Sequence, residues 1–296
     1  MKKILLIILL NIVFMQVVTD LTFQTSKSIS MAGAVVSDPE AAESIFINPA
    51  GLSSAVQSEL FIGSTNYYGL DFINYYYLSG VYANPYGNLG ISYQTLEVSS
   101  SASDISLLSE SSLSFSQGFS LLNDRNSTLD IGYSFNIFSL KQAASAGVTG
   151  DGSDGLPGNQ IYSYGIDLGV LSSLRDKVKL GAFIKNINSP SIGKGSSLQY
   201  LPRKLTIGIS YIPNKNLRTH FNLERLLGHE DLHFRFGFEY IFNEIFSLRS
   251  GIQMKPNCFG FGFKYSPIDI INLSFGIIAG PVMPTTQNLE LSVKFK

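Results

Sequence analysis

Side chains able to carry or share a proton recur on the polar face of successive alternating segments between residues 218 and 264: Arg218, His220, Glu224, His233, Arg235, Glu239, Arg249, Gln253 and Lys264. Three carboxylates, Asp38, Glu40 and Glu43, stand far upstream in a segment of different character. Guanidinium forks and carboxylates form short, charge-assisted hydrogen bonds. Two readings are open. Arg235 and Arg249 grip the upstream acids, or the charges pair across neighbouring strands. His220, His229 and His233 could be a metal trio, but no carboxylate or thiol stands at a third ligand's spacing. They are read as histidines with ordinary hydrogen-bond partners. Asp151-Gly-Ser-Asp154-Gly misses the EF-hand spacing and is read as a loop rather than a Ca²⁺ site. No Gly-Xaa-Ser-Xaa-Gly elbow is present, and among so many serines a Ser–His pairing carries no weight. No enzymatic chemistry and no cofactor are expected. Cys258 is single, which removes intrachain disulfides, Fe–S clusters and cysteine zinc sites.

These residues need a scaffold, and composition narrows the choice. The 296 residues hold 21 basic and 22 acidic side chains, a net charge of −1, so phosphate neutralisation and nucleic-acid binding are not expected. Charged residues are 15% of the chain, against about a quarter in soluble domains. Hydrophobic residues make up 45%, aromatics 12%, and the mean hydropathy is +0.17, too apolar for disorder. After the first twenty residues no stretch stays apolar for about 18 positions, the length a helix needs to span a bilayer.

Lys2 and Lys3 precede an apolar core from Ile4 to Val18, which reads as an export signal peptide over residues 1–22. From about Gln57 the sequence alternates with period two. Leu232, Phe234, Phe236, Phe238 and Tyr240 interleave with His233, Arg235, Gly237 and Glu239, and Phe259, Phe261 and Phe263 enclose Gly260 and Gly262. Fourteen such segments are legible: 57–65, 71–82, 87–97, 111–121, 127–139, 159–171, 177–188, 203–212, 217–224, 231–242, 245–254, 258–265, 269–278 and 287–296. Connections alternate between tight turns and longer loops, among them Val98–Glu110, Leu140–Gly158 and Ser189–Pro202. Outer-membrane barrels have this parity when both termini face the periplasm. A β-sandwich or lipocalin-like barrel would also alternate, but its outer face would carry Lys and Glu; here the polar face is mostly Ser, Gly, Asn and Thr. The fold expected is all-β: a transmembrane antiparallel barrel of 14 strands over residues 57–296. Its outward apolar stripe meets outer-membrane lipid, and Tyr67, Tyr68, Tyr75, Tyr76, Tyr77 and Tyr82 are girdle candidates.

Residues 23–56 do not alternate. Asp38-Pro39-Glu40 reads as a helix start, with a cap, a Pro and an acid in the first turn, running to about Phe46 and ending before Asn48-Pro49. A short helical hatch in the barrel lumen is expected from this segment.

Small residues at Ala32–Ala34, Asp38-Pro39, and then Asn48-Pro49-Ala50-Gly51-Leu52 resemble the N-terminal hatch of FadL-type barrels, and the PorV/PorQ-like branch in particular. Gly181 to Ile187, Leu201-Pro202-Arg203, and His233 to Tyr240 followed by Leu248 to Gly251 are similar to that branch as well. The resemblance implies fourteen strands, a lumenal hatch and an outer-membrane location in a Gram-negative-type bacterium. The final strand, with Phe295 before Lys296, resembles the segment that barrel-assembly machinery reads. Three functions stay open: passage of hydrophobic small molecules, a type IX secretion accessory binding exported proteins, or a structural barrel. Asp38, Pro39, Asn48, Pro49, Ala50, Gly51 and Leu52 carry the hatch motif. Glu40, Glu43, Arg218, His233, Arg235, Glu239 and Arg249 form the expected lumen charge cluster, and Ser114, Ser116 and Gly118 could permit a wall kink.

Overall fold

The computed structural model describes residues 24–100, 103–145, 154–155, 157–193, 198–228 and 230–295. The expected signal peptide, Asp151, His229 and Lys296 lie outside the described residues. The strands are β1 Ser58–Asn66, β2 Ile73–Tyr82, β3 Asn88–Ser100, β4 Ser103–Asn123, β5 Ser127–Gln142, β6 Asn159–Leu174 and β7 Val178–Lys185. They continue with β8 Lys204–Asn214, β9 Leu217–Leu226, β10 Leu232–Ile241, β11 Phe246–Met254, β12 Cys258–Ile268, β13 Ile271–Ala279 and β14 Thr286–Phe295. Each pairs antiparallel with the next, and β14 returns to β1, from Ser58↔Phe295 to Asn66↔Gln287, so these fourteen strands form a closed barrel. Closure satisfies the hydrogen bonds that an open edge would leave bare in lipid.

Side-chain direction settles sandwich against membrane barrel. Phe259, Phe261 and Phe263 of β12 are exposed, while the intervening Gly260 and Gly262 are buried. The apolar rows of β2, β3, β5, β6, β8 and β10 also face out, and the buried inward face of β4 and β5 is Ser112, Ser114, Ser116, Ser134 and Asn136. A soluble sandwich would bury those apolar rows against each other. Among the described residues no helix is long and apolar enough to cross a membrane.

Three expectations for the barrel change. The long loop Val98–Glu110 is instead mostly strand: β3 and β4 stay paired up to Ser100↔Ser103, with register shifts after Val98. The serine tract carries no apolar alternation because, beyond the hydrocarbon, neither face has to be greasy. The seventh strand stops at Lys185, because Asn186 turns with φ +56° and its N–H donates to Asp167 Oδ1 at 2.7 Å instead of continuing the ladder. The next segment carries a two-stranded ribbon, Ser191–Ile192 with Gln199–Tyr200, and buries Ile192 and Leu201 on Phe138 and Leu140. Finally, the tyrosine cluster splits. Tyr68, Tyr76 and Tyr82 are exposed, but Tyr67, Tyr75 and Tyr77 are buried with Phe61 and Leu96.

Residues 24–56 occupy the lumen. Helix α1, Ser26–Ser30, is capped by Thr25 Oγ1, which accepts from Ser28 N at 3.2 Å. Helix α2, Ser44–Ile47, is followed by a 3-10 turn over Pro49–Ser54. The helix expected from Pro39 therefore starts later, at Ser44. Asp38 does not cap it, because lumen cations take its carboxylate.

Candidate functional site

The site is the interface between the hatch and the inner wall, and its shape begins with glycines. Gly118, Gly132 and Gly169 pair across β4, β5 and β6. A Cβ on Gly132 would lie 2.2 Å from the Pro49 carbonyl carbon, and one on Gly169 would lie 2.0 Å from Asn48 Oδ1. On the other side, Gly237, Gly251 and Gly260 pair across β10, β11 and β12. A Cβ on Gly251 would meet the Met31 carbonyl carbon at 2.2 Å. Hatch backbone thus lies directly on strand backbone, where no side chain of any size fits.

Within the motif, Asn48 donates from Nδ2 to Val36 O at 3.1 Å, Val170 O at 3.3 Å and Ala182 O at 3.4 Å. Its Oδ1 accepts from Ala50 N at 3.2 Å. One amide therefore links the hatch to β6 and β7 and starts the 3-10 turn. Pro49 occupies the first position of that turn, where no N–H is needed. Asn88 of β3 closes its far end, donating to Leu52 O at 2.7 Å and Ala55 O at 2.9 Å. Gly51 fits beside Pro39 and Ser44, and Leu52 is buried among the aromatics of β1 and β2.

Ion pairs add to this seat. Lys179 holds Asp38 Oδ1 at 2.6 Å, and Arg218 holds Oδ2 at 3.2 Å. Lys27, fully buried in α1, donates to the Asp38 carbonyl at 2.7 Å. Glu40 is paired with Arg249 and, at 2.6 Å, with Lys264. The same Arg249, 1% exposed, donates from Nε to Glu239 at 2.7 Å. Burial alone would raise the Asp38 and Glu40 carboxyls. Lys27, Lys179 and Arg218 around the first, and Lys264 and Arg249 around the second, outweigh it and hold both well below the ordinary range.

Of the two readings left open, Arg235 follows the cross-strand one. Its guanidinium forks onto Glu224 at 2.6 Å through both terminal nitrogens, and Nε donates to Gln253 at 2.8 Å. It touches the hatch at Gly33, where a Cβ would come within 2.9 Å of its Cδ. His220 shares a 2.6 Å hydrogen bond with Ser210 Oγ, itself 2.5 Å from Ser37 Oγ of the hatch. His233 reaches Lys255 O at 2.5 Å. Among the described residues no group of three His, Cys, Asp or Glu could hold a metal. The ladder of β4 is unbroken at Ser114, Ser116 and Gly118. Ser116 and Ser134 share a 2.7 Å bond across strands, Gly118 receives the hatch, and the register break lies at Ser120/Leu122. Gly118 makes room for the plug.

At the strand end where Ser58 and Phe295 lie, the hatch faces two clefts of about 370 and 380 Å³, both bordered by Glu40, Arg218, Lys264 and Lys294. On its other side lies a recess of about 50 Å³ between Val35, Val36, Phe46 and Phe183, edged by Lys185, Lys204 and Arg235.

Sequence reasoning missed Lys27, Lys179 and the glycine rows. The glycines were visible as every second residue between outward aromatics, but alternation alone does not say what an inward gap will hold.

Fold and site together define a membrane barrel of fourteen strands closed by a seated hatch. The sequence matches no protein-family model and no curated protein. The structure is similar to the toluene transporter TbuX of Ralstonia pickettii (TM-score 0.66, 14% identity, 94% of this chain and 100% of that one). It is also similar to the monoaromatic hydrocarbon channel CymD (0.67, 11%, 94% and 99%), and to a Pseudomonas aeruginosa FadL homologue (0.55, 10%, 92% and 98%). The fold is that of the FadL-type barrels.

Proposed function

We propose that this protein lies in the bacterial outer membrane and passes hydrophobic small molecules through a hatch-gated lumen. The observation that carries the reading is the hatch itself, seated on glycine backbone and tied by ion pairs, beside an inner wall of β1 and β2 where the aromatics Phe61, Tyr75 and Tyr77 stand among the polar residues. Phe46 of the hatch stacks edge-on against Tyr77 at 5.5 Å, and Phe61, Tyr67, Tyr75 and Leu96 surround them. A water-filled pore would have a polar lining throughout. An apolar solute, by contrast, loses little on leaving water for such a wall. The toluene transporter and the monoaromatic hydrocarbon channel of the same fold support an aromatic solute. They also favour passage over the secretion accessory implied by the PorV/PorQ resemblance. The expected signal peptide and terminal strand fit delivery by barrel-assembly machinery.

The test is uptake into proteoliposomes of labelled toluene and a labelled fatty acid, with a labelled disaccharide as control. Faster entry of either apolar solute than into protein-free vesicles, with no gain for the sugar, supports passage. Equal rates in both vesicles overturn it. Recovery of exported proteins after crosslinking in the native membrane would favour the accessory reading instead.

A further inference from the structure

We propose that Glu43 of the hatch and Glu290 of β14 form a single-proton site, a buried carboxylic acid hydrogen-bonded to a carboxylate, and that removing this proton loosens the hatch. The inference concerns the hatch and does not depend on which solute passes.

Both side chains are 2% exposed, and both line one enclosed cavity of about 10 Å³ with Asn272, Ser274 and Ser292. That is room for about one water molecule. Glu290 Oε1 accepts from Tyr77 OH and from Ser26 N, and the Ser26 hydroxyl lies beside the same carboxyl, but Oε2 of Glu43 and Oε2 of Glu290 have no hydrogen-bond partner. A buried carboxylate oxygen without a donor is costly. Two in one buried cavity repel each other as well. One proton supplies the missing donor and removes the repulsion, giving a short O–H···O⁻ bond of the charge-assisted kind.

The surrounding charges do not replace it. Facing the pair are Lys27 from α1, Glu40 from the hatch, Glu59 from β1, Tyr75 and Tyr77 from β2, and Arg249 from β11. Arg249 engages Glu239 through Nε and Glu40 through Nη2, and its Nη1 makes no hydrogen bond to either carboxyl of the pair; Lys264 of β12 is held by Glu40, and Lys27 by the Asp38 carbonyl. Burial first, then Glu290 and Glu40, push the Glu43 carboxyl well above the ordinary glutamate range, against the opposing pull of Lys27 and Arg249. A folded-state value raised in this way means that hatch docking weakens as pH climbs above the ordinary range towards that value.

The test uses the full chain in detergent. Hydrogen/deuterium infrared difference spectra should show a protonated-carboxyl band at neutral pH that is lost at alkaline pH, and is absent from E43Q and from E290Q. Amide exchange over residues 44–52 should speed up by at least about tenfold across the same titration, one pKa unit's worth, and the E43Q/E290Q double variant should lose this step. A wild-type protein without the band while its hatch is protected overturns the proposal, whether or not the variants fold. So does an alkaline exchange step unchanged in the double variant, or a Ca²⁺-dependent gain in hatch protection that replaces the band.

Discussion

Gly251 lies against the backbone of Met31 so closely that a Cβ on it would stand 2.2 Å from the Met31 carbonyl carbon and 2.4 Å from its oxygen. The strand backbone cannot retreat, because Gly251 is paired on both sides, with Gly237 and Gly260. Replacing Gly251 by Val should therefore displace α1 while leaving the closed ladder intact. The expected outcome is faster amide exchange over residues 26–34 and higher single-channel conductance, with unchanged heat-modifiable migration of the barrel. The exposed Gly69, where nothing lies within 4 Å of the added carbon, serves as the contrast; G69N should leave the hatch undisturbed.

Arg249 and Arg235 should separate plug from wall. Arg249→Ala removes one partner of Glu40 and leaves Glu239 with only the 3.8 Å contact to Arg218. Breaking a buried pair costs about 3–5 kcal/mol; the low end is expected because Glu40 is a third exposed and keeps Lys264. Hatch exchange should speed up and conductance should rise. Arg235→Ala strips the fork from Glu224 on the neighbouring strand, so it should lower the thermal stability of the barrel more than it moves the hatch. Equal conductance in wild type and R249A would refute the latch.

Asn48 offers a sharper substitution. Its Nδ2 donates towards three carbonyls, so Asn48→Asp points a carboxylate oxygen at groups that can only accept. Aspartate should be worse than alanine at this position, even though aspartate is nearer in shape. Unpaired buried polar groups cost about 1–3 kcal/mol each. Protease nicking within the hatch, followed over time, should rank wild type, then N48A, then N48D from slowest to fastest.

Acid should weaken the hatch through Asp38 and Glu40. Both carboxyls are held below their ordinary values when docked, so the docking they provide is complete above the ordinary carboxylate range, about pH 4. It is lost as pH falls through that range towards the lowered values. Hatch exchange, corrected for its intrinsic pH dependence, should rise below about pH 4 in wild type. In D38N/E40Q the hatch should already be looser at neutral pH and show less of this acid step.

How much of this was legible in the residues can be judged element by element. The outward rows of Phe and Leu betrayed the barrel because lipid imposes a strict period of two. The Asn48-Pro49 break was equally clear, since Pro cannot continue α2 and Asn48 caps the 3-10 turn after it. Helix α1 was not legible. Ser-Lys-Ser-Ile-Ser has weak helix propensity, and the element is stabilised by its seat on the glycines of β11 to β13, a tertiary cause. The two readings left open for the arginines both hold for Arg249, which pairs with Glu239 and with Glu40, and only the cross-strand one is seen between Arg235 and Glu224. Lys179 escaped notice because it sits on β7, outside the charged run that drew attention. Which cation meets Asp38 depends on how the hatch lies in the lumen, and no local spacing encodes that.

The barrel's height is uneven. β3 to β6 run for 13, 21, 16 and 16 residues, while β8 to β14 have 9 to 11. Their upper ends turn Phe138 and Leu140 inward and Ser139 and Lys141 outward. The mouth is hooded on one flank and low on the other, and under the hood Ile192 and Leu201 already cover Phe138 and Leu140, so the fold itself makes one side easier to approach than the other.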